Sequence, residues 1–138
     1  MIWTVATVSA GVVGGVYAAF SLVVMPALDR LGAVEATAAM RSVNRVAERG
    51  PFIGVFGVAA AAAVALVVQD RGAAALVVAG GSLAGTAVTV AVNVPLNRRL
   101  DRDGAAFWPR YRRRWTAANT VRAVLSLAAL VVGVRGLG

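Results

Sequence analysis

The sequence predicts an all-α protein: a four-helix transmembrane bundle with an amphipathic helix in the first cytoplasmic loop and both termini extracytoplasmic. Three observations predict it. Hydrophobic residues make up 59% of the 138-residue chain and charged residues 14%, with a mean hydropathy of +0.77, whereas a soluble domain carries about a quarter charged residues. That is more apolar surface than one small core can take up. The charges fall in short segments between long apolar runs. The arginines divide unequally among those segments: four (30, 41, 45, 49) lie within 29–51, seven (98, 99, 102, 110, 112, 113, 114) within 96–114, one (71) within 69–72 and one (135) in the C-terminal tail. Eleven against two places both large loops in the cytoplasm.

The elements follow in order. No charged side chain precedes Asp29. A helix rising about 1.5 Å per residue needs about 20 residues to cross the hydrocarbon. The first span is therefore residues 3–24, with Trp3 at the interface and Pro26 ending it. In DRLGAVEATAAMRSVNRVAER (29–49), Leu31, Val34, Ala38, Met40 and Val43 alternate with Arg30, Glu35, Arg41, Arg45 and Arg49, the pattern of an amphipathic surface helix. Pro51 suits the first turn of the second span, 51–68. QDRG (69–72) is short enough to make spans two and three antiparallel neighbours. The third span, 73–94, is stopped near Pro95. A basic hinge follows, and a helix starting near Pro109 runs straight into the fourth span, 115–134. The chain reads as one transmembrane domain over 1–138, multi-pass in the cell membrane, without an internal sequence repeat.

Composition narrows the chemistry. The chain has no cysteine, which removes disulfides, thiolate nucleophiles and thiolate metal sites. It has no histidine either, and with it go the commonest general base and the commonest metal ligand. No metal site and no cofactor are expected. All 14 basic residues are arginine and the net charge is +8. Nucleic acid is not the expected partner, because the arginine-rich segments alternate with apolar runs; the bilayer and its anionic headgroups are. MIWTV lacks a basic leader, so no cleavable signal peptide is expected.

Polar residues form stripes on two of the helices. Ser82, Thr86, Thr89, Asn93 and Asn97 are spaced 4, 3, 4, 4; Trp108, Tyr111, Trp115, Asn119, Arg122 and Ser126 are spaced 3, 4, 4, 3, 4. Each set is one helical face. Lipid is a poor neighbour for both, so the stripes are expected to face each other. Thr7, Gly11, Gly14, Ala18 and Ser21 share a face in the first span, and Gly54 with Gly57 and Gly81 with Gly85 mark the second and third, a pattern that permits close helix packing and would also serve a homo-oligomer or an assembly partner.

Arg122 is the residue that needs explaining. It lies seven residues beyond Trp115, about 10 Å deeper along the axis, where an arginine costs about 2.5–3.5 kcal/mol on insertion scales. Two fates are open to it. It snorkels to headgroups one to two turns away, or it faces the bundle and needs partners: Asn119, Asn93, or Glu48, Asp29, Asp101 or Asp103 from the rim. In the second case an incompletely paired guanidinium is an anion site. The aromatics Trp108, Tyr111, Trp115 and Tyr17 are either the walls of a slot or an interfacial belt. Asn93 and Asn97 either orient a ligand or cap the helix end at Pro95. Asn44, on the loop helix, is expected to touch the bundle.

AAFSLVVMPAL (18–28), MRSVNRVAERGPF (40–52), NVPLNRRL (93–100) and W-x-x-Y-x-x-x-W-x-x-x-N-x-x-R (108–122) resemble the DUF1772, or anthrone oxygenase-like, membrane family over most of the chain. The resemblance implies a small four-span helical fold. It also implies oxidation of a tricyclic phenolic ketone by O₂ in the characterised members. Many relatives have His directly after the Asn of the last motif; this chain has Thr120 there.

Cofactor-independent oxidation of this kind needs a flat apolar slot, a positive group for a developing oxyanion, and a base or water relay. Arg122, Asn119 and Asn93 are the candidate catalytic residues. Asn97, Trp108, Tyr111, Trp115, Tyr17, Thr89 and Asn44 are the candidates for holding a hydrophobic aromatic ligand. Tyr111 is a poor base at neutral pH, since a free tyrosine has a pKa of about 10. The alternative reading is a non-catalytic membrane protein that binds a lipid or quinone, or an assembly partner.

Overall fold

The computed structural model describes residues 1–136, and its regular structure is entirely helical. Helix α1 (Ile2–Ala19) is followed by one π-helical stretch, Phe20–Val24, and then by α2 (Met25–Leu28), whose first turn holds Pro26. Proline has no N–H to give, and its ring crowds the carbonyl four residues back. The wider π turn relieves both problems: the Met25 N–H reaches back to Phe20 O. Pro26 therefore does not end the helix, which runs on to Leu28.

The same device recurs later. Helix α5 (Ala73–Val88) passes through a π stretch, Thr89–Asn93, into α6 (Val94–Asp103), which carries Pro95 in its first turn; the Val94 N–H bonds Thr89 O. Pro95 does not stop the helix either, and the expected break there is replaced by a widened turn. Both π stretches begin six residues before the proline.

Helix α3 (Ala33–Arg49) forms where the amphipathic pattern places it, with Glu35 in its first turn and Arg49 in its last, the charge order that suits the helix dipole. Its buried face differs from the expected one. Ala36, Thr37, Met40 and Asn44 are buried, whereas Leu31 and Val34 are 47% and 68% exposed. The rotation is set by Arg41, whose Nη2 donates to Leu100 O at 2.8 Å and Asp101 O at 2.6 Å. That guanidinium caps the last carbonyls of α6 and fixes which side of α3 meets the bundle.

Helix α4 (Pro51–Gln69) begins on a proline, as expected. Its connection to α5 is closed by Asp70, whose Oδ1 accepts from Gly72 N–H at 2.8 Å and whose Oδ2 accepts from Trp3 Nε1 at 3.2 Å. After α6 the chain reverses through a 3-10 turn, Gly104–Phe107. Gly104 has φ 63°, the one positive φ among the described residues. Helix α7 (Trp108–Gly136) then runs unbroken for 29 residues.

The four long helices form a bundle in which α1 packs against α4 and α7, and α5 packs against α4 and α7. The α1–α7 pair is antiparallel and close: Gly133 faces Thr7, Gly11 faces Leu130, and a Cβ on Gly14 would stand 2.9 Å from that of Ser126. A Cβ on Gly81 would likewise stand 2.8 Å from Leu125 O of α7. Not every glycine read as a packing residue is one. A Cβ on Gly54 or Gly57 would meet nothing within 4 Å. Three helical runs are long and apolar enough to cross a membrane: Ile2–Leu28, Pro51–Gln69 and Ala73–Gly136. The last of these doubles back at Gly104 and so contributes two of the four long helices.

Candidate functional site: a cavity beneath α3 anchored by Arg122

All six residues of the α7 stripe are buried: Trp108, Tyr111, Trp115, Asn119, Arg122 and Ser126. Arg122 is only 5% exposed. It does not snorkel. Its Nη1 donates to Thr89 Oγ1 at 3.0 Å and its Nη2 to Asn119 Oδ1 at 2.6 Å. Its Cζ sits 4.1 Å from the centroid of the Tyr17 ring and 5.5 Å from that of Trp115, close enough for cation–π attraction of about 0.5–2 kcal/mol. The π stretch brings Thr89 to the guanidinium. Asn119 is held in turn by its own amide, which donates to Tyr17 O and Ser21 Oγ, both at 2.7 Å.

No carboxylate neutralises this arginine among the described residues. Asp29 pairs with Arg112 at 2.7 Å, Asp101 with Arg41 at 3.5 Å and Asp103 with Arg99 at 2.9 Å. Three of the four rim carboxylates proposed as partners are thus taken up by other arginines, and the fourth, Glu48, is exposed and makes no ion pair with Arg122. Asp70 is at the opposite end, bonded to Trp3. A buried cation with neutral partners only retains most of its desolvation cost, several kcal/mol, and an incoming oxyanion would recover part of it.

Beside Arg122 lies a cavity of about 460 Å³, within the usual range for small-molecule sites, about 300–1,000 Å³. Its floor is Arg122, Asn119, Trp115 and Tyr17; one side is Thr89, Asn93, Val94 and Asn97; the other is Phe52, Ile53 and Phe56 of α4; its roof is α3, through Met40, Val43, Asn44 and Ala47, with Glu48 at the edge. Four buried polar atoms on these lining residues have no partner in the protein: Asn44 Nδ2, Asn93 Oδ1, Trp115 Nε1 and Arg122 Nε. Buried polar groups are nearly always paired; these four atoms have almost no accessible surface, so they stand behind the cavity wall and leave its polar shell incompletely satisfied.

The sequence-derived candidates separate into two groups. Arg122, Asn119, Asn93, Asn97, Trp115, Tyr17, Thr89 and Asn44 all line the cavity. Asn93 also donates weakly to Trp115 O, at 3.5 Å. Trp108 and Tyr111 do not line it. They stack on each other at 5.7 Å and pack with Met25, Leu100 and Phe107 one level nearer the loops. Tyr111 reaches the site only indirectly, its hydroxyl donating to Asn97 Oδ1 at 2.9 Å. Residues that sequence reasoning passed over include Phe20, Met40, Phe52 and Phe56 in the lining, and Ser21 behind Asn119. The repeated six-residue spacing before Pro26 and Pro95 was the readable signal for the first of these.

Thr120 is exposed and is not part of the lining. Its hydroxyl lies 3.0 Å from Ser21 Oγ and bonds Thr116 O of its own helix at 2.9 Å. A side chain at this position points away from the cavity, so the departure from the common N-H pattern does not remove a group from its wall.

Among the described residues no group of three or more His, Cys, Asp or Glu could hold a metal ion. Neither the curated proteins nor the solved structures yield a match to this chain. The sequence profile of the anthrone oxygenase family does match, over residues 39–132, which takes in α3 from Ala39 onward, α4, α5, α6 and α7 as far as Val132; the chain belongs to that family.

Proposed function

We propose that the protein is a four-span membrane enzyme that oxidises a hydrophobic phenolic or anthrone-like compound with O₂. In this reading the spans are residues 3–24, 51–68, 73–94 and 115–134, and the arginine-rich loops with α3 face the cytoplasm. The observation that carries the reading is a buried arginine without a carboxylate, on the wall of a cavity large enough for a tricyclic ligand.

The chemistry asks little of the protein. Loss of a proton from the CH₂ beside a carbonyl gives an electron-rich enolate. The enolate passes electrons to O₂, and the net change is CH₂ plus O₂ to C=O plus H₂O. Arg122 stabilises the oxyanion as charge develops, an effect worth about 10²–10³ in rate for a single well-placed donor. Asn44, Asn93 and Asn97 also line the cavity and bring amide side chains beside it. Tyr17, Trp115, Phe52 and Phe56 supply the flat apolar walls. The reading takes no bound cofactor, because the chain brings neither histidine nor cysteine to hold one.

The scarcity of bases favours a second reading, a non-catalytic binder of a quinone or lipid. Among the described residues the cavity has one carboxylate, Glu48, at its exposed edge. Oxygen uptake by detergent-purified protein with a simple anthrone separates the two. The enzyme reading expects turnover that falls about 10²–10³-fold in Arg122→Ala. Binding of the quinone product without turnover would establish the binder instead.

A further inference from the structure

We propose that this cavity is loaded sideways from the hydrocarbon phase of the bilayer, through a gap between the first turns of α4 and the Thr89–Asn97 segment. Its ligand is therefore an uncharged, membrane-dissolved aromatic. The inference rests on the ligand-site reading above.

The gap follows from how the bundle is held. At the hairpin end α4 and α5 are pressed together, with Ala62 and Leu66 buried against Ala75 and Val78. At the other end the first turns of α4 stand level with Thr89. The Phe52 ring lies 6.4 Å from that of Tyr17, Tyr17 covers Arg122, and Arg122 bonds Thr89. Here, however, α4 leans on α1 and α3, while the π stretch and α6 pack on α7. The two edges part, and the cavity fills the space between them. Open space around Gly54 and Gly57 fits the same splay.

The edges of this gap are aliphatic. Ile53, 49% exposed, stands on one side and half-buried Val94 on the other, with Val46, 65% exposed, above them. The roof is a less favourable route. α3 is pinned to α6 through Arg41, and its cavity edge carries Ser42 and Glu48, so an apolar ring entering there would have to strip two polar groups of water. A lateral route asks only that the ligand dissolve in lipid. Arg122 then meets the ligand's oxygen at the far side of the cavity, after desolvation is complete.

The chain has no cysteine, so the gap can be closed reversibly. Cysteines replace Ile53 and Val94, and a series of bifunctional thiosulfonates of increasing length bridges them through reducible disulfides. The protein is reconstituted in phosphatidylcholine vesicles. Loading is followed by the absorbance of 1,8-dihydroxyanthraquinone predissolved in the lipid, and in parallel with anthraquinone-2-sulfonate added in water. The proposal expects the bridge to slow loading of the neutral probe at least ten-fold, reduction to restore it, and the sulfonate to load poorly even with the gap open. Equal loading rates before and after bridging would overturn it, as would faster uptake of the sulfonate from water. If the unbridged protein takes up neither probe, and Arg122→Ala behaves identically, the ligand-site reading fails and the lateral route falls with it.

Discussion

The two ends of the bundle are built from different materials. At the hairpin end the core is alanine, glycine and valine, with Leu66 as the largest member of the cluster: Ala6, Ala62, Leu66, Ala75 and Val78 are buried together, and Gly133 admits Thr7. At the arginine-rich end the buried residues are Met40, Leu100, Phe107, Trp108, Tyr111 and Trp115, alongside a stripe of asparagines and Arg122. Small residues let helix axes approach until backbone atoms nearly touch, which in lipid is the main source of helix association. Large and polar residues hold the axes apart. The comparison teaches that the tight end fixes the helices so that the wide end can keep a cavity without collapsing, which is how a short chain accommodates both a membrane fold and a site.

The sharpest way to break this comparison is to overpack the tight end. A Cβ added at Gly133 would collide with the Thr7 side chain, so Gly133→Val forces α1 off α7 and should cost about 1–3 kcal/mol, read as a lower unfolding temperature in detergent. Gly57→Val, on the open side of α4, should leave the unfolding temperature within error or raise it slightly, because valine packs into empty space and glycine is a poor helix former. If the two variants are equally stable, the division into a tight and a wide end is wrong.

Asn119 tests the wide end. It is fully buried and makes three bonds, to Tyr17 O, Ser21 Oγ and Arg122 Nη2. Asn119→Leu keeps the branching at Cγ but strands the Tyr17 carbonyl and one face of the guanidinium. Leaving a buried polar group unpaired costs about 1–3 kcal/mol, so a fall in stability of that order is expected. Probe affinity should fall as well, since Arg122 loses its shortest bond. A loss of stability with unchanged affinity would show that Asn119 holds helices together without aiming the arginine.

What the sequence made legible here was faces. The 3–4 spacing of Trp115, Asn119 and Arg122 identified a buried stripe, because periodicity reports the side of a helix. Height and opposing partners were beyond its reach. Trp108 and Tyr111 share that stripe yet sit above the cavity, because what a residue touches depends on where the neighbouring chain turns. The buried face of α3 was misjudged for a related reason: Arg41 fixes the helix's rotation through carbonyls sixty residues away, and hydrophobicity alone pointed to Leu31 and Val34. The glycines divided in the same way, Gly14 into a seam and Gly57 into open space, though their local patterns look alike. The π turns left a trace, a proline six residues on, but a proline in an apolar run reads more simply as a stop.

Thr120 gives the smallest expected effect and a strict test of the site's boundary. Sequence resemblance makes the position look like a missing catalytic histidine. The geometry makes it a residue of the outer face whose hydroxyl sits between Ser21 and its own helix, bonds of the ordinary worth of about 0.5–1.5 kcal/mol that lie outside the cavity. Thr120→His should therefore leave probe affinity, oxygen uptake and their pH dependence unchanged. An imidazole placed there would stand on the outer face of α7, with no path into the cavity except through Asn119 and Ser21. A gain of ten-fold or more in turnover would mean that the wall between Thr120 and Arg122 opens during the reaction. The boundary of the site would then have to be drawn to include the outer face of α7.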